Sequence, residues 1–185
     1  MGEDQIQHIE LACDLITRYN SIVEKGKEFP LPKPLKSIIP KVLNLRDPSK
    51  KMAKSENNEL TKINLTDSDD EIRLKISKAK TDSIPGITYE ESERPGLANL
   101  LRIYSALTQD PIDRLVEQYN SGSIEVFKKE LTEILVQEIA PIRENIMKLN
   151  QDRPYVLKLL AQGQKIALEE SSKNMIEIKK SMGLC

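Results

Sequence analysis

Lys50, Lys51 and Lys54 stand within five positions, flanked by Ser49 and Ser55 and spaced by Met52 and Ala53. An ammonium group on a long flexible stem is a point charge suited to an anionic oxygen such as a phosphate. The wider segment is basic as well. Residues 33–55 carry Lys33, Lys36, Lys41, Arg46, Lys50, Lys51 and Lys54 against Asp47 alone, and residues 56–71 carry Glu56, Glu59, Asp67, Asp69, Asp70 and Glu71 against Lys62 alone. As a bare charge run this reads as solvated surface. Only the order of the residues and their surroundings can raise it above that.

Other chemistries have little to work with. His8 is the only histidine, and it reads as a helix-surface residue. The two cysteines, Cys13 and Cys185, lie at opposite ends with no ligand cluster beside them, so no metal site is expected and a reducing compartment is the simple reading. Charged residues make up 31% of the 185 yet the net charge is −1, which argues against a protein that coats nucleic acid wholesale. Aromatic residues are 4% and Trp is absent, so the core must be built from Leu, Ile, Val and Met, a composition that favours helices. No apolar run approaches the roughly 20 residues a membrane span needs, and the acidic, polar opening is not expected to be a targeting segment.

The elements that must carry the basic loop follow from periodicity. Ile6, Ile9, Ala12, Cys13, Ile16 and Tyr19 recur at helical spacing, with Glu3 and Asp4 where a helix start favours acids. Proline at alternate positions (Pro30, Pro32, Pro34) excludes a helix there. A short strand is expected around residues 42–45, then a polar loop over residues 46–60. Beyond it the pattern is helical: Asp67 is expected as an N-cap before Ile72, Ile76 and Ala79, and Pro95-Gly96 opens the stripe Leu97, Leu100, Leu101, Tyr104 and Leu107. Asp110-Pro111 reads as N-cap and first helical residue ahead of Ile112, Leu115, Val116 and Tyr119. A long pattern from Ser123 through Phe127, Leu131, Leu135 and Ile139 should be kinked or split at Pro141. Asp152 should cap a last helix with the stripe Val156, Leu160, Ala167, Met175 and Ile178, stopped by Gly183.

The fold class expected is therefore mainly α, an α-helical bundle preceded by a small piece of something else. One helix and at most one strand are too little for an independent α/β layer.

Lys51-Met52-Ala53-Lys54-Ser55 resembles the mobile Lys-Met-Ser-Lys-Ser loop of class I aminoacyl-tRNA synthetases. Such a loop alone is a weak signal. Around it, Gly2-Glu3-Asp4-Gln5, Thr81-Asp82-Ser83, Arg94-Pro95-Gly96-Leu97-Ala98-Asn99-Leu100-Leu101 and Tyr104-Ser105-Ala106-Leu107 are similar to the tryptophan–tRNA ligases of the bacterial and mitochondrial branch, and the similarity runs over residues 2–183. The Gly2-Glu3-Asp4-Gln5 opening disfavours the tyrosine ligases, the nearest enzyme alternative.

The resemblance implies residues 1–60 as the C-terminal remnant of a Rossmann-type ATP-binding domain and residues 61–185 as the helical tRNA (anticodon)-binding domain. It implies ATP-dependent activation of tryptophan and transfer to tRNA(Trp), with Mg²⁺ carried by the ATP phosphates. Lys51 and Lys54 would be catalytic: negative charge accumulates on the departing pyrophosphate, and ammonium groups near it favour the transition state. Gly2, Glu3, Asp4, Val42, Lys51, Met52, Ala53, Lys54 and Ser55 would bind ATP, and Gln5 would face the substrate. Ala53 replaces the family's usual serine, which removes one hydroxyl contact worth about 1.5–3 kcal/mol when made to a charged group. The amino-acid pocket and the first nucleotide-binding strand precede residue 1 in the family, so the expectation is a truncated, alternatively started or deliberately shortened chain, inactive alone. The resemblance further implies tryptophan as substrate and a homodimer for the full-length enzyme, no membrane, and a mitochondrial matrix or bacterial-type cytoplasm. A non-catalytic helical module that binds tRNA or protein stays open beside the enzyme reading.

Overall fold

The computed structural model of the protein describes residues 5–23, 28–35, 39, 41–120 and 122–184. Among them are six α-helices: α1 (Ile6–Ile22), α2 (Asp69–Ser77), α3 (Pro95–Thr108), α4 (Ile112–Tyr119), α5 (Ile124–Gln151) and α6 (Arg153–Ser181), with a 3₁₀ turn at Glu59–Thr61. The mainly helical expectation holds. No strand is present among the described residues; the segment expected as a strand forms one isolated antiparallel bridge, Leu43 with Lys51. The chain divides into two compact units, residues 38–148 and residues 1–37 with 149–185.

The first of these units holds α2 to α4 and most of α5. Its core joins Leu45, Ile72, Ile76, Leu97, Leu100, Leu101, Leu115, Phe127 and Leu131, all buried. Each such side chain contributes about 1.5–3 kcal/mol by leaving water. Tyr104, Tyr119 and Phe127 meet with ring centroids 5.3 to 6.0 Å apart. Burial pushes the Tyr119 phenol well above its ordinary range, and its hydrogen bonds to Glu130 and Tyr104 add to the shift.

Three local expectations shift. Ser68, not Asp67, caps α2: its hydroxyl accepts from the Glu71 N–H, and the Glu71 carboxylate accepts from the Ser68 N–H at 2.7 Å, a capping box. Asp67 is buried and already engaged by Lys75 Nζ at 2.5 Å and the Asn64 N–H at 2.8 Å. Pro111 occupies the cap position of α4 one residue later than expected, while the Asp110 carboxylate pairs with Arg114. Helix α5 runs unbroken through Pro141. Proline removes an N–H that would serve the Gln137 carbonyl. Both residues are exposed, so water can take that carbonyl.

Pro95 starts α3 at the first helical position, and Gly96 follows for a steric reason. A Cβ there would lie 2.1 Å from the Lys80 carbonyl oxygen, a backbone atom. Gly96→Ala should therefore destabilise the protein by about 1–3 kcal/mol in urea or thermal melts; an unchanged midpoint would mean that residues 78–81 move aside freely.

In the other unit, residues 28–35 fold back on α1. The Asn20 amide donates to the Phe29 carbonyl at 2.9 Å and accepts its N–H at 3.0 Å, and the Tyr19 and Phe29 rings stand 5.3 Å apart. Tyr19 and Ser181 hydroxyls share a hydrogen bond of 2.6 Å that ties α1 to α6. Asp152 caps α6 as expected, accepting from the Tyr155 N–H, and Gly183 ends it at φ 68°. The expected stripe of α6 is not a buried one: Val156 and Ile178 are half-buried, but Ala167, Met175 and Leu160 are exposed, Leu160 at 63%. Among the described residues of its unit, a helix of 29 residues has α1 and the segment 28–35 beside it. No helix among the described residues is long and apolar enough to cross a membrane.

Candidate phosphate-binding loop

The lysine loop rises from a turn whose base is pinned on both sides. The Asn44 N–H donates to the Lys50 carbonyl at 2.9 Å and the Met52 N–H to the Val42 carbonyl at 2.9 Å, so residues 42–52 double back on themselves. The Asn44 amide oxygen accepts from the N–H groups of Arg46 and Asp47, closing the bend. Asp47 in turn accepts from the Ser49 hydroxyl at 2.6 Å and pairs with Lys50 at 3.3 Å. The Ser49 hydroxyl, ahead of Lys50, holds the Asp47 carboxyl below the usual range. Lys50 is thus partly neutralised by its own turn. Lys51 closes the turn opposite Leu43 with its side chain exposed, Lys54 and Ser55 are exposed on the arm beyond it, and Ala53 is half-buried.

Two anchors join this turn to the helical core. Leu45, 2% exposed, donates its N–H to the Thr61 carbonyl and accepts from the Lys80 N–H at 2.7 Å. On the edge of Leu43 away from the loop lies Asn99 of α3, 1% exposed. Its amide oxygen accepts the Leu43 N–H at 2.8 Å and its amide nitrogen donates to the Leu43 carbonyl at 3.0 Å. A side-chain amide here does the work of a neighbouring strand, satisfying both polar groups of a buried peptide. Met52 packs on the core at the foot of the arm.

On the exit side, Lys62 is buried and directs its ammonium at the carbonyls of Lys54 (3.0 Å) and Glu56 (2.6 Å) and at Glu59 (3.0 Å). Hydrogen bonds from Lys62, then from Asn64, hold the Glu59 carboxyl below its ordinary range.

The Thr81-Asp82-Ser83 and Arg94-Pro95-Gly96 segments are brought together by one buried side chain. Arg94, 2% exposed, donates to both Asp82 oxygens at 3.0 Å, to the carbonyls of Gly86 and Ile84, and to the Thr88 hydroxyl. It organises the whole connection between α2 and α3. Burial alone would raise the Asp82 pKa, but the Arg94 hydrogen bond and the backbone donors outweigh it and the carboxyl ends below its usual range.

Lys51, Met52, Ala53, Lys54, Ser55 and Val42 thus lie on one turn and its arm. Val42 is half-buried, its carbonyl already taken by Met52. Gln5 stands at the head of α1 in the other unit. Gly2, Glu3 and Asp4 lie outside the described residues. Sequence reasoning missed Asn99 and Lys62. Both left a trace, Asn99 as the one polar residue in Leu97-Ala98-Asn99-Leu100-Leu101, and Lys62 as the one cation among six anions. A cleft of about 680 Å³ opens elsewhere, between α2 and α5, but Arg73, Lys128 and Lys129 share its walls with Glu125 and Glu133. Mixed signs make it a poor phosphate seat. No cluster of three metal-ligating side chains occurs among the described residues.

The sequence over residues 1–139 is matched by the family model for tRNA synthetases class I (W and Y), and the chain belongs to that family. Similar proteins within it include tryptophan–tRNA ligases. The tryptophan–tRNA ligase of Rickettsia conorii is 36% identical over 99% of this chain and 56% of its own length. The mitochondrial tryptophan–tRNA ligase of Dictyostelium discoideum is 40% identical over 100% of the chain and 49% of its own. The crystal structure of tryptophanyl-tRNA synthetase from Mycoplasma pneumoniae superposes with a TM-score of 0.85 at 28% identity, covering 100% of this chain and 55% of that one. That of Campylobacter jejuni complexed with ADP and tryptophan gives 0.65 at 25% identity, over 100% and 56%. The chain spans about half the length of the curated relatives it matches.

Proposed function

We propose that the chain serves tryptophan–tRNA ligation as the part that grips ATP and carries tRNA, with Lys51 at the close of the turn and Lys54 on its exposed arm meeting the triphosphate. The observation that carries this reading is the turn itself: a cationic arm pinned to the core by Leu45 and Asn99, in a chain belonging to a family of tRNA synthetases. In the reaction, the tryptophan carboxylate attacks the α-phosphorus of ATP and pyrophosphate leaves; the tRNA 3′ end then takes the aminoacyl group. The arm lysines stabilise charge that develops on the leaving pyrophosphate, where preorganised cations contribute most. Mg²⁺ would travel on the ATP phosphates, which take it with few protein ligands.

Residues 1–60 are read as the remnant of a Rossmann-type domain, with Gly2, Glu3 and Asp4 at the ribose and base and Gln5 toward tryptophan. With its carbonyl taken, Val42 would meet the adenine edge through its N–H or side chain. Residues 61–185 are read as the anticodon-side tRNA-binding part, and the intact enzyme as a homodimer. Relatives occur in bacteria and in a mitochondrion, which suits either compartment.

The 185 residues by themselves should give no tryptophan-dependent exchange of pyrophosphate into ATP. Holding both substrates together supplies much of such a rate, and this reading assigns the tryptophan pocket to the other half of the enzyme. Joined to the N-terminal half of a relative, they should restore exchange. Robust exchange by the pure chain would refute the division of labour, and failure of the joined protein to exchange would refute the enzyme reading.

A further inference from the structure

A lysine buried to 7% exposure is costly unless every donor is satisfied, and what satisfies it shows what it holds. The Lys62 ammonium has three acceptors. Two are main-chain carbonyls of the arm's exit, Lys54 at 3.0 Å and Glu56 at 2.6 Å. The third is Glu59 at 3.0 Å, whose carboxylate also accepts from Asn64 at 2.9 Å and lies 3.9 Å from Lys75. Lys75 continues to buried Asp67, and Arg143 of α5 donates to the Asp67 carbonyl and the Asp69 carboxylate. The chain of contacts therefore runs from the arm into α2 and α5.

We propose that Lys62 is a positioning residue of the phosphate-binding arm, fixing the peptide between Lys54 and Ser55 and hence the direction in which the Lys54 side chain leaves the backbone. The assignment rests on the reading of that arm as a triphosphate grip. Asn99 secures the entry of the turn through Leu43, and Lys62 secures its exit. Without the ammonium, the carbonyls of residues 54 and 56 lose their shared donor while the helices keep theirs. The arm would then sample many directions, and each triphosphate bound would have to order it anew.

Hydrogen exchange on the full chain tests the hold. Lys62→Met keeps the stem and removes the donors. The Glu56 amide, which donates to the Ala53 carbonyl at 3.3 Å between the two held carbonyls, should exchange about tenfold faster, with α3 unchanged, and Lys62→Arg should recover part of the protection. Unchanged exchange at Glu56, or equal acceleration across α3, would overturn the proposal. Should the Met variant fail to fold, the wild-type chain decides alone: a slowly exchanging ammonium ¹⁵N–¹H signal assigned to Lys62 supports it, and its absence refutes it. A separate arm adds Mg-ATP to the wild type and to the Lys54→Ala and Lys62→Met variants. Protection of residues 51–55 should be lost in the first variant and need about tenfold more nucleotide in the second. If Mg-ATP protects no form, the triphosphate reading falls, while the exchange comparison still decides whether Lys62 holds the arm.

Discussion

Joined to the N-terminal half of a relative, Lys54→Ala should lower tryptophan-dependent pyrophosphate exchange by about 10²–10³-fold, with tryptophan affinity changed by less than about twofold. The size follows from where the charge appears. Ground-state ATP already carries its charge, so a lysine that only bound it would act mainly on ATP affinity. A lysine that meets charge appearing only on the leaving group acts on kcat. Lys51→Ala should behave in the same way, whereas Lys50→Ala should cost far less, because Asp47 already holds that ammonium in the turn at 3.3 Å. Normal turnover with poor tryptophan binding in Lys54→Ala would sink the assignment. Ala53→Ser, which gives the arm the hydroxyl of the Lys-Met-Ser-Lys-Ser loop it resembles, should be neutral or mildly activating.

The largest expected loss of stability is at Arg94. Arg94→Met keeps most of the volume but strips Asp82, the Gly86 and Ile84 carbonyls and the Thr88 hydroxyl of their donor. Removing one partner of a buried ion pair costs about 3–5 kcal/mol; since Asp82 is 20% exposed, the lower end is expected. The pH dependence gives a second check. Asp82 has a folded-state pKa below its unfolded value, so its contribution is fully present above the unfolded pKa of about 3.9 and is lost as pH falls through the lower folded value. Wild-type stability should therefore fall on acidification below about pH 4, more steeply than that of Arg94→Met. Parallel acid titrations of the two proteins would show that the pair does not carry this dependence.

The helices were legible in the sequence because their signals are local. Pro95 at a first helical position and Asp152 as a cap were read from neighbours three or four residues away. The misplaced cap at Asp67 shows the limit: Lys75, eight positions on, claims that carboxylate, and Ser68 caps instead. A kink or a split is expected at Pro141, and α5 is not split there: Pro141 lies on the exposed face, opposite Phe127, Leu131, Leu135 and Ile139 in the core. The stripe of α6 marks a helix yet is largely exposed, because periodicity tells which residues share a face and not what lies opposite. The same division runs through the candidate site. The arm lysines are visible as a motif. Asn99 and Lys62 act on backbone carbonyls and amides, which carry no letter in the sequence, and Asn99 does so across 56 positions.

Asn99 also sets how the protein can age. Hydrolytic loss of ammonia from its side chain would change the molecule by one heavy atom, replacing the nitrogen that now donates to the Leu43 carbonyl with an oxygen that, once the new carboxyl ionises, only accepts. Two acceptors would then face each other in the core at the foot of the lysine arm. Such a lesion leaves every helix its own hydrogen bonds, so an old sample would keep its helical spectrum while the base of the arm came unseated. Water is the reagent for that change, and at 1% exposure Asn99 is sheltered from it for as long as α3 stays packed.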